Sequence, residues 1–128
     1  MKFLIIFIQI SLIFASDYEL KLYEKVFSSL FHKNHINLYV DKNQNMFKHS
    51  NIIKLTNCKN ADILLIYNLK NIKCKTKPLF TTSYVDYINS NSIGAFYWRK
   101  GRPQLVLKKE MIKKYNLFLD KSLQKYAR

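Results

Sequence analysis

Ala61-Asp62-Ile63-Leu64-Leu65-Ile66-Tyr67 is a short, strongly apolar run set between clusters of Asn and Lys. It lacks the apolar–polar alternation of a strand with one wet face, and it is too short for a helix of ordinary length. Such a run reads as a strand buried on both faces. A strand of that kind needs a layer above it and a layer below it. The chain is therefore expected to be a sheet with cover on both sides.

The flanking sequence supplies candidates for those layers. Upstream, residues 17–32 repeat apolar groups at Leu22, Val26, Phe27, Leu30 and Phe31. This is a helical stripe, with Ser16 or Asp17 as its cap. Ile36–Val40 and Ile52–Leu55 read as short strands, and Asp41–Ser50 has room for one helical turn. Downstream, Pro78 opens a strand over Leu79–Thr82, and residues 84–89 suggest a brief helix. Ile93–Trp98 and Pro103–Leu107 form a hairpin through the four-residue connection Arg99-Lys100-Gly101-Arg102. Pro103 stands at the start of its strand, where a missing N–H is tolerated. Lys108–Tyr115 then places Met111, Ile112 and Tyr115 on one helical face. Asp120 caps a last turn or two carrying Leu123, Tyr126 and Ala127. The expected fold class is α/β: a single-domain layered sandwich of a mixed sheet with flanking helices and a C-terminal β-hairpin.

The first fifteen residues have a different character. Met1-Lys2 gives a positive start, Phe3–Phe14 is almost wholly apolar, and Ala15-Ser16 is small. That order is the one a secretory signal peptide shows, although Ile13, two before Ala15, is not a small residue. The run is too short for a hydrocarbon core of ~30 Å, which takes about 20 residues. The reading is a signal peptide over 1–15, cleaved near Ala15, and one domain over 16–128.

The whole chain carries 22 Lys/Arg against 8 Asp/Glu, a net charge of +14. Residues 99–128 hold ten of the basic residues against Glu110 and Asp120. A field of this sign attracts anions, acidic proteins or anionic lipid. Crowding with Lys, Asn, Ile, Phe and Tyr is also what an AT-rich coding sequence produces, so part of the charge has a compositional reading. No nucleic acid is expected as partner, because export removes it and no recognition motif accompanies the charge. Cys58 and Cys74 bracket the apolar strand in a compartment where disulfides persist. Folding residues 67–74 back beside that strand would bring the sulfurs together; two unpaired structural thiols are the alternative.

Catalytic chemistry is not visible. His32, His35 and His49 are the only histidines, and no carboxylate near them completes a metal site. With only Gly94 and Gly101, no phosphate cradle can be built. Thr81, Thr82 and Ser83 end a strand, where a nucleophile could sit, but no base accompanies them. The acids form no evident pair for general acid–base work. The chain is expected to be no enzyme, with no cofactor and no metal.

One resemblance stands beside this reading. Lys77-Pro78-Leu79-Phe80-Thr81, Ile93-Gly94-Ala95-Phe96, Gly101-Arg102, Leu105-Val106-Leu107 and the Leu117–Leu123 tail resemble the close of the YfiR-type periplasmic family. Asn91-Ser92 stands where that family usually has a glycine pair. The resemblance implies a periplasmic regulator that binds the periplasmic part of an inner-membrane signalling protein, a diguanylate cyclase or a sensor kinase. An interface of that kind needs exposed aromatic or apolar side chains among charges, and Tyr97, Trp98, Arg99 and Arg102 at the hairpin are the candidates. The competing reading is a small solute-binding module that takes an anion at Thr81, Thr82 and Ser83. A second copy of the chain and a small anion complete the set of candidate partners.

The leader makes the first prediction. Protein purified from cells should give an N-terminal sequence beginning at or near Ser16. A cytoplasmic product that retains Met1 would contradict the export reading.

Overall fold

The structure is a computed structural model that describes the backbone of residues 2–128 and the side chains of residues 17–128. The signal-peptide expectation for residues 1–15 lies outside the described side chains. Six strands form one sheet: β1 (Ile36–Val40), β2 (Ile53–Leu55), β3 (Ile63–Ile66), β4 (Leu79–Thr81), β5 (Gly94–Arg99) and β6 (Arg102–Leu107). Their spatial order is β2-β1-β3-β4-β5-β6. The first five run parallel and β6 is antiparallel. The helices are α1 (Lys2–Phe31), α2 (Tyr84–Ile88) and α3 (Lys109–Lys114), with 3-10 turns at Gln44–Phe47, Leu69–Asn71 and Lys121–Tyr126. This is the mixed α/β sheet with flanking helices and a terminal hairpin that the sequence implies.

All four residues of β3 are buried, so the sheet is covered on both sides. The two covers differ in kind. On one side α1 lays Tyr23, Val26, Phe27 and Leu30 over Ile36, Leu38, Ile63, Leu65, Phe80 and Phe96. Aromatic edges do much of the packing: Tyr23 meets Phe80 and Phe96 edge-on at 6.1 and 5.8 Å, and Phe27 meets Phe80 at 5.2 Å. Burial raises the Tyr23 phenol well above its ordinary range, so the ring stays neutral in the core. Met111 and Ile112 of α3 join the same cluster. On the other side of β3, Leu64 and Ile66 pack with Leu79, Ala61 and Cys58, covered by Tyr39, Leu69, Ile72 and Cys74. That cover is chain without α-helix, and the Cys58–Cys74 disulfide closes it, with Cα atoms 6.0 Å apart and a sequence separation of 16. Closing a loop of this length contributes about 3 kcal/mol on the chain-entropy model.

Three local expectations need correction. Residues 17–32 belong to a longer helix whose bounds begin at Lys2, so neither Ser16 nor Asp17 opens it in the full-length chain. No Gly or Pro stands between Phe3 and Ser16 to stop the helix. The helix ends as expected after Phe31, where His32 turns to a positive φ and Lys33 N–H reaches the Ser28 carbonyl at 3.1 Å. The hairpin loop is two residues, not four, because Arg99 pairs directly with Arg102. Lys100 and Gly101 both take positive φ (52° and 76°), the turn whose twist matches that of the strands. Finally, β2 begins at Ile53 rather than Ile52. The Ser50 hydroxyl accepts from both the Ile52 and Ile53 N–H groups and donates to Glu24, which sets where pairing starts.

Gly94 marks the tightest strand contact. A Cβ there would lie 2.7 Å from the Val106 carbonyl oxygen, 2.7 Å from Leu107 and 2.8 Å from Phe80. Backbone and buried ring cannot give way cheaply, so Gly94→Ala should cost about 1–3 kcal/mol, as overpacking does. Urea denaturation at equilibrium measures this; a variant as stable as the parent would show that β5 and β6 separate freely.

Candidate functional site

The β5–β6 ribbon carries the residues that the sequence singles out, but it does not bring them all together. Successive strand residues point to opposite faces. Phe96 and Trp98 therefore share the α1 side, while Ala95, Tyr97 and Arg99 face the other way. Directly opposed residues share a face, so Arg102 and Gln104 stand with Arg99 and Tyr97, and Pro103 and Leu105 stand with Trp98. The candidate set of Tyr97, Trp98, Arg99 and Arg102 is split by the pleat of the sheet.

Trp98 belongs to an aromatic corner with α1. Its ring lies 5.7 Å from Phe96 and 6.0 Å from Tyr18, and its indole N–H donates to the Glu19 carboxylate at 2.5 Å. It remains 41% exposed. Its polar tip is thus satisfied within the chain, as a half-buried tryptophan requires.

Tyr97, Arg99 and Arg102 share the face away from α1, and Tyr97 reaches α2. Tyr97 lies 6.1 Å from Tyr84. The Ser83 hydroxyl accepts from the Asp86 N–H and caps α2, while the Lys108 ammonium holds its far end by donating to the Tyr87 and Ser90 carbonyls at 3.1 and 2.9 Å. Braced at both ends, this five-residue helix turns Tyr87 inward and leaves Tyr84, Val85 and Ile88 50%, 61% and 53% exposed. A short helix spends three apolar side chains on solvent, with Tyr97 of the ribbon beside them. Sequence reading missed this half of the surface. Its one signal was spacing, with Ile88 four residues after Tyr84 and three after Val85.

The Thr81-Thr82-Ser83 segment has other duties. Thr81 is fully buried, with its hydroxyl 3.5 Å from the Gly94 carbonyl. Ser83 is the α2 cap, and Thr82 is half-buried between them. Beside this segment, at the carboxyl ends of β1 and β3, lies an open crevice of about 600 Å³ bordered by Lys42, Tyr67, Lys70 and Asp86. Strand order reverses between β1 and β3, the place where open α/β sheets form ligand crevices. Asp41 at its base is committed to the fold: it accepts from the Tyr67 and Asn68 N–H groups and from the Asn71 amide. His32 lies against Phe118 at 5.5 Å; His35 stands just before β1, and His49 follows the first 3-10 turn. Among the described residues, no group of three or more His, Cys, Asp and Glu is arranged to hold a metal ion.

The outer edge of β6 is closed to strand addition. Alternate residues point their backbone groups outward, and the first of these is Pro103, which has no N–H. At the other end the C-terminal tail occupies the edge: Arg128 N–H donates to the Leu107 carbonyl and Lys109 N–H to the Arg128 carbonyl, each at 3.0 Å. Recognition at this ribbon must therefore use side chains. Among the described residues no helix is long and apolar enough to cross a membrane. Comparison of the chain with protein-family models, with curated proteins and with solved structures finds no match.

Proposed function

We propose that the protein is an exported, non-enzymatic regulator that binds the periplasmic part of an inner-membrane signalling protein. The observation that carries this reading is the surface shared by α2 and the hairpin. Tyr84, Val85 and Ile88 are at least half exposed on a braced helix beside Tyr97, whose face of the ribbon also carries Arg99 and Arg102. Aromatic side chains and arginine are the groups most enriched where interface energy concentrates. The positive charge of the ribbon selects an acidic rim on the partner and speeds its capture. The class of partner, a diguanylate cyclase or sensor kinase, rests on the resemblance to the YfiR-type family. Trp98 is a support of this surface rather than a part of it, since it packs toward α1. The blunted β6 edge speaks against a homodimer formed by strand pairing at the hairpin. The anion-binding alternative is the weaker one, because the Thr81 and Ser83 hydroxyls are already engaged within the chain.

A photo-crosslinking residue in place of Val85, introduced in living cells, should trap a membrane protein that has a periplasmic domain. Tyr97→Ala combined with Arg102→Ala should leave the circular dichroism spectrum intact and weaken binding to that protein at least ~10-fold, about 1.4 kcal/mol. Crosslinks only to a second copy of the chain, or undiminished binding by the double variant, would contradict the proposal.

A further inference from the structure

On the far side of the sheet from the proposed partner surface, α1, β6 and the final 3-10 turn enclose a groove of about 580 Å³. Its floor is Val26 and Leu123, 1% and 2% exposed. Its walls are Tyr18, Leu22, Leu105 and Tyr126. Tyr18, Leu22 and Val26 are spaced four apart, so they form one stripe along α1 that runs about 12 Å at the helical rise. The groove thus runs lengthwise along the helix. It suits a linear chain better than a flat ring, and its volume lies in the range of small-molecule sites, roughly 300–1,000 Å³.

One rim of this apolar slot is cationic. Lys21 and Lys25 follow each other along the helix at the groove mouth. Lys21 pairs with Asp17 at 3.2 Å across an exposed i,i+4 step. Lys25 is exposed and has no carboxylate within 4.0 Å among the described residues. The carboxylate that feels its charge, Asp120, is spent on capping: it accepts from the Ser122 N–H and hydroxyl. The opposite wall is fixed, because the tail beyond Tyr126 is anchored to β6 through Ala127 and Arg128. A linear apolar slot with an uncommitted ammonium at its edge matches an amphiphile with one anionic head.

We propose that this groove binds a medium-length acyl chain bearing a carboxylate or phosphate head, with the chain along Tyr18, Leu22 and Leu105 and the head at Lys25. The inference is independent of the partner surface on the other face. Free fatty acid and membrane lipid share this chemistry, and calorimetry on the purified protein separates them. Decanoate, kept below its micelle-forming concentration, should bind saturably with one site. Lys25→Glu, a change on an exposed side chain, should weaken it at least 10-fold, and Leu105→Arg should abolish it. Decyltrimethylammonium should bind at least 10-fold more weakly than decanoate. Absence of decanoate binding, equal binding of the cationic amphiphile, or decanoate affinity unchanged in Lys25→Glu would each overturn the proposal. Binding to phosphatidylglycerol vesicles without any response to monomeric decanoate would overturn it too, by making the lysines a membrane-surface patch rather than the rim of a site.

Discussion

β3 is buried on both faces, and the layers of this protein are arranged to keep it so. Ile63 and Leu65 face α1, and Leu64 and Ile66 face away from it. A chain of this size has the material for one thick layer of helix, and it places that layer on the α1 side. The opposite side is sealed by the segment from Cys58 to Cys74, held down by the disulfide. The bond and the sheet architecture thus answer the same need. A small domain gains from a covalent staple where a helix is missing.

Beyond the covered strands, the β5–β6 ribbon has two sides with different work. Toward α1, Trp98 and Phe96 join Tyr18, and the Glu19 carboxylate accepts from the indole N–H. This ties the described start of α1 to the far edge of the sheet and shapes one end of the apolar groove. Away from α1, Tyr97 meets α2, which keeps three apolar side chains in water, and Arg99 and Arg102 share that face of the ribbon. The sheet therefore separates two candidate surfaces: an aromatic, cationic face suited to a protein and a slot suited to an amphiphile.

Much of the architecture is readable in the residues because it follows from burial. The run Ile63–Ile66 announces a doubly covered strand, and the Leu22–Phe31 stripe announces its helical cover. Asp120 and Ser83 stand where caps form, although Ser83, at the end of a strand, also reads as a ligand group. What the sequence conceals is conformational or long-range. Nothing about Lys100 signals a positive φ, so the hairpin loop reads two residues too long. Tyr97 and Trp98 are neighbours in the chain, and that adjacency suggests one patch; the period of a strand places them on opposite faces. The groove unites Leu22, Leu105 and Leu123, which no local pattern connects. The exposed side of α2 was legible from spacing alone, but so short a helix gives little periodicity to read.

The most direct measurement of the central claim is hydrogen–deuterium exchange of the protein with and without the Cys58–Cys74 bond. If the stapled segment is the second cover of β3, reduction should raise exchange first over residues 58–78, including the Leu64 amide that donates to the Pro78 carbonyl at 2.9 Å. The β5–β6 hairpin should keep its protection under the same conditions. Equal loss of protection across both regions, or no change in residues 58–78, would contradict the view that the disulfide stands in for a missing helix.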